Sequence, residues 1–486
     1  HAFLYLVAAK KQTMNDRYPD LYSSYQWFVP SQFNIAQVCV HRWAENLHEG
    51  RRTAIYFEDE NSQPSVWSYT RLSETSHQLA NGLIRMGVQP GDRVAVVMAP
   101  CPELIASCMA VFSVGAIAVP LSAQRLGPDG LGARLRDAET RVALVDAASG
   151  PDLLQAQVRC PALTQIVGLG FQHDSILPWH SLLARQPTSF KLLPTRSDSP
   201  ALLLHADHPP AKPLGTLHAH RALIGNLPGF VASQNWFPQP ADIFWTPADA
   251  THCNGLLNGV LPALYFGRAV VITAGSATGA RTLDILKRYR VTNAAVTPNT
   301  LVRLMDELQD VPREQYPQSL RAVMVSGGAL SGHVFEWCQR ALGVTPNETY
   351  SQAEANYVIG NSHFKWPALA GSLGRPYPGH LVTVLDDHGK PSPANIVGEI
   401  AINRYDVLGH PDPSMFLGYW RNEAATLARF SGDWLMTGDL ATIDKQGNFW
   451  HCGRRDKPLK NPGQHFDPAA IVLARDELRT AAAGGR

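Results

Sequence analysis

The 486-residue sequence predicts an α/β fold, and three observations carry that expectation. Short Val-rich runs bounded by Gly and Pro alternate with stretches of helical period from about Phe33 to Leu440. From Leu381 the pattern changes to alternating strands joined by turn residues. The length allows large buried cores and two or more structural units.

Arg93-Val-Ala-Val-Val-Met reads as a buried strand, and Pro102 to Val114 as the helix that follows it. Arg141-Val-Ala-Leu-Val, Ala201-Leu-Leu-Leu, Ala269-Val-Val-Ile and Arg321-Ala-Val-Met-Val are further candidate strands. Runs of this kind, separated by helical periods, indicate parallel sheets with helices on both faces. Asp386-Asp-His-Gly and Asp444-Lys-Gln-Gly then supply hairpin turns in the β-rich section.

Composition excludes several classes of function. With 42 Lys plus Arg against 41 Asp plus Glu, no nucleic-acid or other polyanion partner is expected. No apolar run reaches the length of about eighteen residues that a membrane span needs. The seven cysteines, Cys39, Cys101, Cys108, Cys160, Cys253, Cys338 and Cys452, show no CxxC pair or ligand spacing. They read as reduced thiols of a cytoplasmic protein, without a disulfide framework or a zinc site. The apolar stretch near the start has Lys10-Lys11 after it rather than before it. That is the wrong order for a secretory signal, so residues 1–13 are expected to be an extension ahead of Met14.

Three short motifs carry chemistry: Tyr350-Ser-Gln-Ala-Glu-Ala, Thr437-Gly-Asp-Leu and Gly453-Arg-Arg-Asp. In this order they resemble the adenine, ribose and hinge motifs of the adenylate-forming, AMP-binding superfamily. Trp245-Thr-Pro-Ala-Asp, the segment from Gly255 to Gly267 and Met415-Phe-Leu-Gly-Tyr-Trp are similar to its acyl-CoA synthetase branch. The resemblance spans about Asn34 to Ile471. It implies a large N-terminal domain, residues 14–452, of two α/β subdomains plus a distorted β-barrel. A hinge and a truncated small C-terminal domain, residues 453–486, would follow. It also implies ATP or AMP with Mg²⁺ as cofactors, and a small carboxylic acid and coenzyme A as substrates.

Roles carry over residue by residue. Tyr350 matches the aromatic that stacks on adenine, which suits a flat apolar ring. Gly327 and Gly328, after the strand Ala322-Val-Met-Val, permit close approach of backbone to the adenine edge, although a lone Gly-Gly is more often a simple turn. Glu354 matches the magnesium-binding glutamate, since a hard divalent cation prefers carboxylate oxygen. Asp439 resembles the carboxylate that accepts both ribose hydroxyls. Arg454 would contact ribose or phosphate, and Asp456 would be the hinge. Ser351 stands where acetate-specific relatives carry a tryptophan, so the acyl pocket is expected to admit medium-chain or aromatic acids. His252 falls in the segment that places an aromatic or histidine near the carboxylate; a surface-loop histidine is an equally good reading.

The sequence departs from the pattern in three places. Ala353 replaces the usual threonine of the adenine motif. The second departure is the phosphate loop, where His205-Ala-Asp-His-Pro-Pro-Ala-Lys-Pro-Leu-Gly-Thr replaces a Ser/Thr/Gly-rich segment. A phosphate cradle needs inward N–H groups, hydroxyls and glycine. Pro209 and Pro210 each lack an N–H, Asp207 adds negative charge, and Leu214 stands at the position of the motif's lysine. Third, His465 replaces a usual arginine, and Lys460 is the last lysine of the sequence, leaving no match for the family's C-terminal activating lysine. Three readings stay open: an ATP-dependent acyl-CoA ligase, an adenylate-binding module without turnover, and a ligase whose coding frame slips and recovers across codons 205 to 215.

Overall fold

The computed structural model describes residues 16–205, 213–459 and 462–465. The expected extension 1–13, the connection from Ala206 to Lys212, Lys460 and all residues after His465 lie outside them.

Two large sheets organise the chain. The first runs in the order Gly418–Tyr419, Gly215–Ala219, Pro200–His205, Ile117–Leu121, Arg93–Val97, Val142–Asp146, Gln165–Leu169, Leu177–Pro178. Its strands are parallel from Pro200–His205 onward, and two antiparallel pairings close the other edge. The second has nine strands, with Asn347–Gln352, Ala322–Val325, Asn293–Val296, Ile243–Trp245, Ala269–Thr273 and Thr53–Glu58 as its parallel centre. A third sheet is antiparallel throughout, built on Val382–Leu385, Gly398–Asn403, Trp434–Ile443 and Phe449–Arg454.

Strand alternation divides the side chains between cores. Val94 and Val96 face one apolar cluster while Ala95 and Val97 face another. In the same way Val270 and Ile272 part from Val271. Both large sheets contribute to one shared cluster, so the helices Tyr69–Arg85, Pro102–Ser113 and Ala222–Ser233 lie between them. Helix Tyr69–Arg85 shows why: Leu72, Leu79, Ala80 and Leu83 are buried at helical spacing. Its start is fixed by Ser68, whose hydroxyl accepts from the Arg71 N–H at 3.1 Å. Full burial of each leucine stabilises by about 1.5–3 kcal/mol, and Leu83→Ala should cost about 2–5 kcal/mol.

The expected strands appear within a residue of their places, and the expected helix spans Pro102–Ser113. The mixed α/β class holds. Asp444 closes a true hairpin: its carboxylate accepts the N–H groups of Gln446 and Asn448, each at 2.9 Å. Gly447 takes the left-handed conformation there, φ +85°. The Asp386 turn forms as well, but its return arm is only a bridge from Leu385 to Pro391, and Val382–Leu385 pairs instead with Gly398–Asn403. The boundary expected at residue 453 falls inside the strand Phe449–Arg454, which continues through a two-residue turn into Lys457–Pro458. Ladder hydrogen bonding therefore carries the third sheet past the expected hinge. All seven cysteines are free thiols. Among the described residues no helix is long and apolar enough to cross a membrane.

Candidate functional site

Strand Asn347–Gln352 leaves the nine-stranded sheet beside Ala322–Val325, and Gly327-Gly328 follow the carboxyl end of that neighbour. Ligands of open α/β sheets bind at such carboxyl ends. Across from them, Trp434–Ile443 and Phe449–Arg454 set Asp439 directly opposite Arg454 in register. A cleft of about 460 Å³ lies between, within the usual range for small-molecule sites. Gly327, Gly328, Tyr350, Ser351, Asp439 and Arg454 all line it, together with Glu348, Gln352 and His451. Six residues named from sequence are thus brought together by four segments of the chain. Gly327 adopts φ +80°, a conformation that glycine takes without strain. A Cβ on Gly328 would meet Pro298 only at ordinary contact distance, 3.6 Å.

Asp439 is the polar hub of the cleft. Its Oδ2 accepts from the Tyr350 hydroxyl at 2.7 Å and from Gln352 Nε2 at 2.6 Å. Gln352 Nε2 also reaches the Tyr350 oxygen, at 2.7 Å. On the other side, Arg454 Nη1 lies 3.4 Å and His451 Nε2 3.6 Å from Oδ1. Burial by itself would raise the Asp439 carboxyl; the nearby His451 imidazole and the Tyr350 hydrogen bond, with the charge of Arg454, outweigh it and hold it below the usual carboxylate range. Burial first, and the Asp439 charge second, push the Tyr350 phenol well above its ordinary value, so it is a hydrogen-bond donor at any physiological pH. The hub is chemically suited to a vicinal diol, because two ligand hydroxyls can replace the phenol and the carboxamide as donors.

Glu354 sits on the turn after Gln352 and does not line the cleft. Its Oε1 accepts from the Tyr419 hydroxyl and lies 3.3 Å from Arg429 Nη2. The carboxylate oxygen at which a divalent cation is expected is thus already paired with a guanidinium. Ser351 accepts the Tyr357 N–H at 2.9 Å through its hydroxyl. His252 is half-buried in the loop after Ile243–Trp245, outside the lining of the cleft, with its N–H donating to the Asp249 carbonyl at 3.0 Å. Asp456 occupies the tip of the tight turn, 3.4 Å from Arg454 Nε. The expected phosphate-loop residues from Asp207 to Lys212 lie outside the described residues.

Four contributors escaped the sequence reading of roles. Gln352 had a legible signal, since it stands two residues from Tyr350 on one strand and so shares its face. Tyr419 lay within the Met415-Phe-Leu-Gly-Tyr-Trp motif without a role assigned to it, while His451 and Arg429 had no signal, His451 reaching the cleft and Arg429 reaching Glu354 from remote segments.

Comparison with known proteins places this geometry. The chain matches the AMP-binding enzyme family over residues 41–420. It is 25% identical over 469 residues to an uncharacterised acyl-CoA ligase of Bacillus subtilis, covering 93% of this chain and 85% of that one. A mitochondrial acyl-coenzyme A synthetase of Homo sapiens is 27% identical over 458 residues, covering 92% and 77%. The fold superposes on the crystal structure of a Brucella canis acyl-CoA synthetase with a TM-score of 0.81 at 23% identity, covering 91% and 80% of the two chains. With a family match over most of its length and that family's fold, the chain belongs to the AMP-binding enzymes.

Proposed function

We propose that this protein is an acyl-CoA ligase by descent, built to bind acyl-adenylates, with ATP, a carboxylic acid and coenzyme A as the substrates of that lineage. The observation that carries the reading is the cleft in which Tyr350, Gly327, Gly328, Asp439 and Arg454 converge. The names of the relatives, an acyl-CoA ligase and an acyl-coenzyme A synthetase, point the same way. Adenine would stack on Tyr350, the ribose diol would take over Asp439 from the phenol and Gln352, and Arg454 would face ribose or phosphate. In the first half-reaction a carboxylate oxygen attacks the α-phosphorus, the bond to the β-phosphate breaks and pyrophosphate leaves. In the second, the thiol sulfur attacks the acyl carbon, the carbon–oxygen bond to AMP breaks, and the thiol proton passes to solvent. Positioning and charge compensation supply most of such catalysis. Medium-chain or aromatic acids fit the small Ser351 better than acetate does.

A second reading, adenylate binding without turnover, is favoured by Pro209, Pro210 and Asp207 in the phosphate connection. Calorimetric titration with AMP and with ATP separates the two. AMP, or a non-hydrolysable acyl-adenylate, is expected to bind more tightly than ATP. Tighter ATP binding in the presence of Mg²⁺ would favour a complete ligase and sink the second reading.

A further inference from the structure

A second hollow, of about 300 Å³, opens between the start of helix Ala222–Ser233 and the segment from Arg404 to Phe430. It shares no lining residue with the cleft. Phe416, Leu417, Leu427 and Phe430 give it an apolar wall, and Arg221 and Arg404 line it as well. The two arginines are not equally compensated. Arg404 lies over the Phe430 ring, its Cζ 4.3 Å from the centroid, with Asp433 3.7 Å from its Nε. Arg221 Nε is buried with no hydrogen-bond partner among the described residues. The charge of Arg221 reaches Asp198, but that carboxylate is already held by Arg196 at 2.8 and 2.9 Å. Asp412 also lines the hollow, and its oxygens are taken as well: Oδ2 by His380 at 2.6 Å, Oδ1 by the N–H and hydroxyl of Ser414. A guanidinium beside an apolar wall with no anion bonded to it is a costly arrangement that a bound anion relieves.

We propose that this hollow is a second ligand site, separate from the cleft, which takes a medium-chain fatty carboxylate. A guanidinium matches a carboxylate with two parallel N–H donors, and Arg221 is the group left free to do so. Because Asp433 offsets part of the Arg404 charge, a monoanion balances the pair of arginines better than a doubly charged phosphate does. The apolar wall then calls for a tail. The hollow stands at the small end of ligand sites, but a larger one of about 740 Å³ adjoins it and shares Leu417, Thr426 and Leu427. Leu427 is 66% and Leu417 36% exposed, so a tail crossing from one hollow to the other would cover apolar surface that is now in water. Acetate has no tail to do this.

The probe is decanoate carrying a diazirine at its far end, photolysed on the wild type, Arg221→Gln and Leu427→Glu, with labelled peptides mapped by mass spectrometry. Label is expected between residues 404 and 430, where decanoate should compete for it. Decanol has the tail without the charge and should compete about tenfold less well. Arg221→Gln should weaken labelling about tenfold, the loss of one charge-assisted hydrogen bond. Leu427→Glu changes an exposed side chain and should weaken labelling too, by setting a like charge at the mouth of the hollow. Label confined to the segment from Gly255 to Gly267 or to the strand bearing Ser351 would overturn the proposal, since the acid would then occupy only the acyl side of the cleft. So would equal competition by decanol, or labelling between 404 and 430 that neither substitution weakens, because the contact would then be greasy adsorption. Co-sedimentation with phosphatidylglycerol vesicles, without labelling by the free acid, would also overturn it and assign the patch to a lipid surface.

Discussion

Two buried carboxylates flank the candidate site, and the protein treats them in opposite ways. Asp439 is held at hydrogen-bond distance by a phenol and a carboxamide, with the Arg454 guanidinium and the His451 imidazole at 3.4 and 3.6 Å. Glu354 is held by a phenol and a guanidinium. Neutral donors can be exchanged for ligand hydroxyls one for one, with little change in the electrostatics. A guanidinium cannot be exchanged for a metal without separating a largely buried ion pair, which is costly. The comparison teaches that the carboxylate proposed to take the ribose is held by exchangeable donors, while the one expected to receive a metal is already compensated from within. The proline-bearing connection from His205 to Thr216 points in the same direction.

Four measurements can break or sharpen this contrast. The largest effect concerns carboxylate-dependent ATP–pyrophosphate exchange, which is expected at background in the wild type. Replacing Asp207 to Ala211 by a Ser-Gly-Thr-Thr-Gly segment restores N–H and hydroxyl donors, and it should raise exchange by about 10²–10³, the usual worth of one such electrostatic donor. Rapid exchange in the unmodified chain would show that the phosphate half works as it stands.

Next in size is Asp439→Asn, which keeps the shape of the hub and removes its charge. AMP affinity should fall about 10–100-fold, matching the 1.5–3 kcal/mol of hydrogen bonds to a charged group. Calorimetry reads it directly, and an unchanged Kd would dissociate Asp439 from the nucleoside.

The same variant carries a pH signature. Because the folded Asp439 carboxyl is held below its ordinary value, its contribution to stability is fully present above the unfolded value of about 3.9. That contribution is lost as pH falls through the lower folded value. Thermal unfolding of wild type and Asp439→Asn should therefore differ at neutral pH and converge in strong acid. A constant difference would mean that shape rather than charge holds the hub.

The smallest effect is expected at the floor of the cleft. Ser351→Trp should shift preference toward acetate or propionate, read as relative kcat/KM across acids in the loop-restored protein. It should also cost about 1 kcal/mol for the lost acceptor of the Tyr357 N–H. Unchanged relative kcat/KM would place the pocket depth under another residue.

Much of this was legible in the sequence. The strands at Arg93, Ala269 and Ala322, the turn at Asp444 and the six cleft residues from Gly327 to Arg454 follow from local pattern or ordered motif. Less legible was the reach of the third sheet past residue 453, since the pairing of Gly453 with Pro458 is a matter of ladder register. Glu354 shows the limit most clearly. The motif names the residue and its expected cation, and only the packed structure shows Arg429 beside it.

What the sequence determined by itself is whatever depends on near neighbours along the chain: periods of two and of 3.6, turn chemistry, and the order of three motifs. Those signals fix the strands that carry the cleft residues. What the tertiary structure alone decided is the electrostatic partner of each carboxylate, the phenol and carboxamide on Asp439 and the guanidinium on Glu354. Hydrogen bonds and ion pairs act over about three to four ångströms, so which remote side chain supplies them is set by how two sheets and a loop pack, and no local pattern encodes that distance.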